Sequence, residues 1–132
     1  MRFARLLMFS LIFTVALPTA VFAAEKFVAQ SSDLMTWAAA QKFCDSNGGK
    51  LPLVNSVDTL DKAAAAKGMS LDGFGVVGDK WPDGLPDKAY WTGTTVTDQP
   101  YHAFGINTSR GMIINVYPST KHGENRVVCV PK

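Results

Sequence analysis

Two cysteines, and the helix that carries the first of them, constrain this chain more than any other feature. Cys44 lies in the stretch Thr36-Trp37-Ala38-Ala39-Ala40-Gln41-Lys42-Phe43-Cys44-Asp45-Ser46-Asn47-Gly48-Gly49-Lys50-Leu51-Pro52, and Cys129 lies in a β-branched run near the C-terminus. Thr36 is a helix N-cap candidate, because its hydroxyl can accept from an otherwise unpaired first-turn N–H. Trp37, Ala40 and Cys44 then recur at i, i+3 and i+7, which predicts one buried stripe with Phe43 beside it and Gln41, Lys42 and Asp45 outside. Asn47-Gly48-Gly49 stops the helix, since glycine takes the left-handed conformation at little cost. A bond between the two sulfurs would lock the first helix to the last strand.

Whether they pair depends on compartment, and the N-terminus speaks to that. Arg2 and Arg5 precede an almost wholly apolar run from Leu6 to Leu17, Pro18 breaks it, and Val21-Phe22-Ala23 offers small residues at a cleavage site. This is the layout of a secretory signal peptide over residues 1–23, with residues 24–132 as a single mature domain. An uncleaved membrane anchor is the competing reading. An exported chain with two cysteines is expected to carry them as a disulfide, Cys44 to Cys129, worth up to about 4 kcal/mol in the loop-entropy model. Two separate buried thiols are the alternative. The leader also holds the charge excess. The chain has 13 basic and 11 acidic side chains; without Arg2 and Arg5 the mature part is formally neutral. A neutral domain with no Lys/Arg cluster offers no electrostatic footprint for nucleic acid or, once the signal is removed, for a membrane. The expected location is periplasmic or secreted.

In chain order, Ala24 to Gln30 reads as a first strand and Ser31-Ser32-Asp33 as a turn. Beyond the first helix, Ser56 caps a second one with Val57, Leu60 and Ala64 inward, ending at Gly68. Gly68 to Lys88 is rich in Gly, Asp and Pro and reads as a long irregular loop, with Phe74 to Val77 as a brief strand inside it. Four β-segments follow at Tyr90–Val96, Tyr101–Ile106, Met112–Tyr117 and Arg126–Val130. Two helices and then a run of hairpins predict an α+β fold on a small antiparallel sheet.

Three blocks carry a family likeness: Thr36-Trp37…Ala40…Phe43-Cys44…Gly48-Gly49…Leu51-Pro52, then Tyr90-Trp91-Thr92-Gly93-Thr94, then Val127-Val128-Cys129-Val130. Their order resembles the C-type lectin-like fold, and most of all its bacterial branch, named for the C-terminal domain of a Legionella collagen-like protein. The resemblance implies two helices packed on a small antiparallel sheet, chain ends lying side by side, and a long loop region forming the ligand face. Here that region is Gly68 to Lys88 with the connections around Asp98 and His122. The calcium-dependent sugar binders with this fold carry a proline flanked by two carbonyl-bearing side chains, and a Trp-Asn-Asp. In this chain Asp98-Gln99-Pro100 puts the proline after both polar residues, and Trp-Asn-Asp is absent, so no calcium-and-sugar site of that kind is expected.

Other chemistry is thinly supplied. Asp72, Asp79, Asp83 and Asp87 match no EF-hand spacing and read as solvated loop carboxylates. His102 shares alternation parity with Phe104 and Ile106, and so faces the packed side of its strand. His122 reads as loop-exposed. Two histidines and no free thiol supply neither a zinc site nor a Cys–His dyad. Formylglycine-generating enzymes resemble this broad fold but depend on reactive cysteines, which a Cys44–Cys129 bridge would consume. Trp37 reads as packing, and of Tyr90 and Trp91 one should be buried and the other more exposed. Trp81 is the candidate for an exposed aromatic that stacks on a sugar or anchors a protein, with pinning of its own loop as the alternative.

The sequence therefore points to a non-catalytic, exported binding module that needs no cofactor or metal. It would meet a protein or carbohydrate through the long-loop face, with Trp81, Asp83, Trp91, His122 and Glu124 as candidate contacts. The alternatives are a small periplasmic enzyme or enzyme inhibitor working through His122, Glu124 and Arg126, and a structural subunit of a surface assembly.

Overall fold

Strand β6 (Ala89–Val96) shows how the molecule is layered, because both Tyr90 and Trp91 on it are fully buried. Adjacent residues of a strand point to opposite faces, so both faces of the sheet are covered here. The computed structural model describes residues 27–55 and 70–132. Around β6 run β7 (Gln99–Ser109), β8 (Met112–Thr120) and β9 (Asn125–Pro131), with β1 (Ala29–Met35) at the far edge. Their order is β1-β9-β6-β7-β8, and the two-residue β2 (Gly49–Lys50) joins β9 as the sixth strand. A second sheet has three two-residue strands, β3 (Val54–Asn55), β4 (Ser70–Leu71) and β5 (Gly75–Val76). The only helix among the described residues is α1 (Trp37–Ser46).

Alternation along the central strands sorts the core into two clusters. Tyr90, Phe104, Ile106, Ile113, Val116, Val128 and Val130 pack with Leu71, Phe74, Trp81 and Leu85 from the small sheet and the segment after it. Their neighbours Trp91, Ala103, Val127 and Cys129 pack with Ala40 and Cys44 of α1. The large sheet is thus a middle layer between the helix and the 70–88 segment.

The expectation of two helices packed on a small antiparallel sheet does not hold. The protein is mostly β, and its large sheet is mixed, because β9 runs parallel to β6 where Tyr90 pairs with Arg126. The second helix predicted from Ser56 lies outside the described residues. The turn predicted at Ser31-Ser32-Asp33 belongs to β1, which pairs with β9 on either side of an irregularity between Ser31 and Met35. The 70–88 segment is less irregular than its composition promised, since Gly and Asp turns link strands too short for period-2 patterning to register.

The first helix forms as read. Thr36 Oγ1 accepts from Ala39 N at 3.4 Å, Ala40 and Cys44 are buried, and Trp37 and Phe43 lie half-buried beside them. The Gly-Gly exit has two separate causes. Gly48 sits at φ +76°, where side chains are strained. Gly49 lies so close to β9 that a Cβ would fall 2.6 Å from the Val130 carbonyl oxygen. Cys44 and Cys129 form the expected disulfide.

Candidate functional site

The three blocks that suggested a family meet at one place, and what they do there is structural. The Trp37 Nε1–H donates to the Thr92 carbonyl at 2.9 Å, and the Trp91 Nε1–H donates to the Met35 carbonyl at 2.7 Å. The two indoles thus staple the β1–α1 junction to β6 from opposite directions. Thr92 Oγ1 is buried and donates to the Phe104 carbonyl at 2.7 Å. The disulfide closes the same corner from the helix side. Trp91, a candidate contact, is therefore a fully enclosed frame residue.

Trp81 is not an exposed aromatic either. It is 1% exposed, with ring centroids 4.9 Å from both Phe74 and Tyr90, and its backbone N–H donates to the Gly111 carbonyl at 2.7 Å. The reading in which Trp81 pins its own segment is the one realised. The Tyr90 hydroxyl donates to the Pro86 carbonyl at 2.7 Å, and burial pushes its pKa up. Asp83 is exposed and pairs with Lys80, three residues before it, at 3.4 Å. Asp87 accepts from the Gly111 N–H with both carboxylate oxygens at 3.1 Å, holding the β7–β8 turn.

The remaining candidates lie elsewhere. Asp79 and Asp87 bind the start of β8, through the Ile113 N–H to the Asp79 carbonyl and through Gly111. His122 and Glu124 follow its end and are exposed. The nine residues of β8 span roughly 25 Å at strand rise. His122 and Glu124 therefore cannot share one concave pocket with the loop carboxylates, as an enzyme built on both would require. The composite loop face is divided in the same way, with the 70–88 segment at one end of the β7–β8 ladder and the turns at Asp98 and His122 at the other. Arg126 donates to the Ser32 carbonyl at 2.8 Å, which ties β9 to β1.

At that second end the structure presents a residue the sequence did not flag. Tyr101, near the start of β7, is 73% exposed, the most open large hydrophobic side chain among the described residues. The Lys121 N–H donates to its carbonyl at 2.8 Å, which places Tyr101 and Lys121 opposite each other with their side chains on one face. The Lys121 ammonium lies 4.1 Å from the Trp37 ring centroid, a cation–π contact. The backbone N–H of Trp37 donates to the Lys121 carbonyl at 3.3 Å. Tyr101, Lys121 and Trp37 thus form one rim fixed to the disulfide corner, with half-buried His102 and exposed His122 nearby. The local signal was Pro100-Tyr101 directly after a turn, where a strand starts before its faces are covered.

A shallow cleft of about 190 Å³ lies at the other end of α1, lined by Gln41, Asp45, Lys50 and Leu51. Its charges are matched within the chain, Lys50 by Asp72 at 3.3 Å and Asp45 by Lys132 at 3.5 Å. No group of three or more His, Cys, Asp or Glu able to hold a metal ion occurs among the described residues. No family model, curated protein or solved structure matches the chain.

Proposed function

We propose that this chain is an exported, non-catalytic binding module that meets a protein or carbohydrate of the cell envelope or its surroundings through the Tyr101–Lys121–Trp37 rim. The observation that carries the reading is Tyr101 itself, an aromatic on a hydrogen-bonded strand left open to solvent, next to a cation held on an indole. Aromatic side chains with a polar tip combine large contact area with little conformational entropy to lose, which suits them to recognition. The disulfide supports export, because such bonds persist in oxidising compartments. It also supports preorganisation, since it holds α1 and therefore the Trp37 shelf under Lys121.

The test is a screen of the purified mature domain on a glycan array and on a panel of isolated envelope proteins, followed by titration of each hit. Tyr101→Ala should weaken the recovered interaction at least about tenfold, as loss of a central aromatic anchor does. Asp83→Ala, at the opposite end of the sheet, should leave it unchanged. Full binding by the Tyr101 variant with loss in the Asp83 variant would move the face to the 70–88 end and overturn the proposal.

A further inference from the structure

The exit of α1 contains the peptide bond Asn47-Gly48, and its surroundings bear on a chemical reaction of the backbone. When an asparagine precedes glycine, the glycine amide nitrogen can attack the asparagine Cγ unobstructed by any Cβ. A C–N bond forms to close a succinimide as the glycine nitrogen gives up its proton to solvent, the Cγ–Nδ2 bond breaks, and Nδ2 takes up a proton and leaves as ammonia. Water then opens the ring to aspartate or isoaspartate. The reaction needs no co-reactant beyond water.

Both residues are exposed, and nothing lies within 4 Å of where a Gly48 Cβ would stand, so solvent reaches the site freely. Three hydrogen bonds and the backbone angle at Asn47 nonetheless oppose ring closure. Asn47 Nδ2, the leaving nitrogen, donates to the Phe43 carbonyl at 2.7 Å. The nucleophilic Gly48 N–H donates to the Asp45 carbonyl at 3.3 Å, and the Asn47 N–H donates to the Cys44 carbonyl at 3.0 Å. Asn47 itself has φ −109° and ψ 16°. That ψ turns the Gly48 nitrogen away from the Asn47 side chain rather than toward it. All three hydrogen bonds belong to the last turn of α1, and Cys44 in that turn is bonded to Cys129.

We propose that Asn47-Gly48 is a modification site gated by the Cys44–Cys129 bond: deamidation proceeds only when the last turn of α1 opens, and the disulfide keeps that turn shut. The site therefore reports on the integrity of the corner. Its product would reinforce the loss, because conversion removes the Asn47 donor to the Phe43 carbonyl and puts a second carboxylate beside Asp45, at the helix end where negative charge is disfavoured.

The experiment follows residue 47 by peptide-mapping mass spectrometry at neutral pH in three samples: the oxidised protein, the protein reduced and alkylated, and a free peptide covering residues 45–51. Amide hydrogen exchange of Gly48 is measured in the two protein samples. The peptide should convert fastest. The oxidised protein should be slower by at least about tenfold, equivalent to ~1.4 kcal/mol of local opening, and by the same factor as Gly48 is protected from exchange. Reduction should raise both rates together. Conversion of the oxidised protein at the peptide's rate would overturn the proposal. So would reduction that frees the Gly48 amide to exchange without accelerating conversion, because opening would then not be what limits the chemistry. If reduction leaves both rates at their oxidised values, the turn is held by its own hydrogen bonds and the disulfide is not the gate.

Discussion

Trp81 carries the clearest lesson at the scale of single residues. Its setting, Trp81-Pro82-Asp83-Gly84, has the composition of an exposed turn, and composition alone cannot say which way a large ring points. The answer came from partners distant in sequence, Tyr90 and the Gly111 carbonyl, which fix the indole inside. Trp81→Ala should accordingly behave as a core deletion and cost about 3–5 kcal/mol. Urea unfolding followed by circular dichroism would measure it, and a loss within the ±0.5 kcal/mol usual for surface changes would contradict the burial. Asp72 is a second residue whose role no motif announced. Burial by itself would raise its pKa, but hydrogen bonds from Asn55 and Lys50, the Lys50 charge and the Leu53 backbone together bring it below the ordinary value of 3.8. A carboxyl whose folded pKa is depressed stabilises the protein above its unfolded pKa, and that contribution fades as pH falls through the folded value. Asp72→Asn should therefore lower Tm at pH 7, and the gap from wild type should close as pH drops below about 4. A gap that stays constant as pH falls on through that range would show that the charge of Asp72 contributes nothing.

Legibility at the scale of elements depended on how local the determining interaction was. The helix Trp37–Ser46 was readable because its cap, stripe and glycine stop all lie within a few residues of each other. Strands β6 to β9 are readable as β-branched and aromatic runs, though all four extend beyond those runs, β7 and β8 by the most, where polar residues such as Asn107 and Ser119 still pair. What could not be read was which strands are neighbours: the placing of β9 beside β6 in parallel is a non-local choice that leaves no periodicity behind. The β7–β8 hairpin makes a testable point of its own. Arg110 and Gly111 form its two-residue turn at φ 55° and φ 71°, the left-handed pair of a type I′ turn, in which asparagine followed by glycine is strongly preferred. Arginine has no local hydrogen bond to offset the left-handed conformation. Arg110→Asn should stabilise the protein by about 0.5–1 kcal/mol, seen as a rise in Tm without change in the unfolding m-value. A fall in Tm would mean that the Arg110 side chain contributes more than its backbone costs.

For the whole molecule, the described chain is closed on itself at β9. Strand β1 pairs along it from Ala29↔Cys129 to Met35↔Asn125, β2 adds Gly49↔Pro131, and Lys132 reaches Asp45. The disulfide lies in the middle of this closure, with both cysteines fully buried. The bond was inferable because two cysteines in a chain with the layout of a secretory leader leave one pairing, whereas the ladders around it were not, since they join segments far apart in sequence, as Ala29↔Cys129 does. These ladders raise the question of whether the covalent bond still matters where so many non-covalent contacts make the same junction. In the unfolded chain none of them exists, so there the bridge removes entropy by an amount set by the long loop it closes, and in the folded protein it restrains the local opening of α1. The Cys44→Ala/Cys129→Ala double variant should therefore lose about 2–5 kcal/mol and more than about 10 °C of Tm, yet keep the native β signal in circular dichroism at low temperature. Hydrogen exchange should show the first opening at α1 and β2, the elements that the bond holds against β9, while β6 and β7 stay protected. Uniform loss of protection across all strands would mean that the sheet cannot stand without the bond. An unchanged Tm would mean that the closure at β9 is already complete without it.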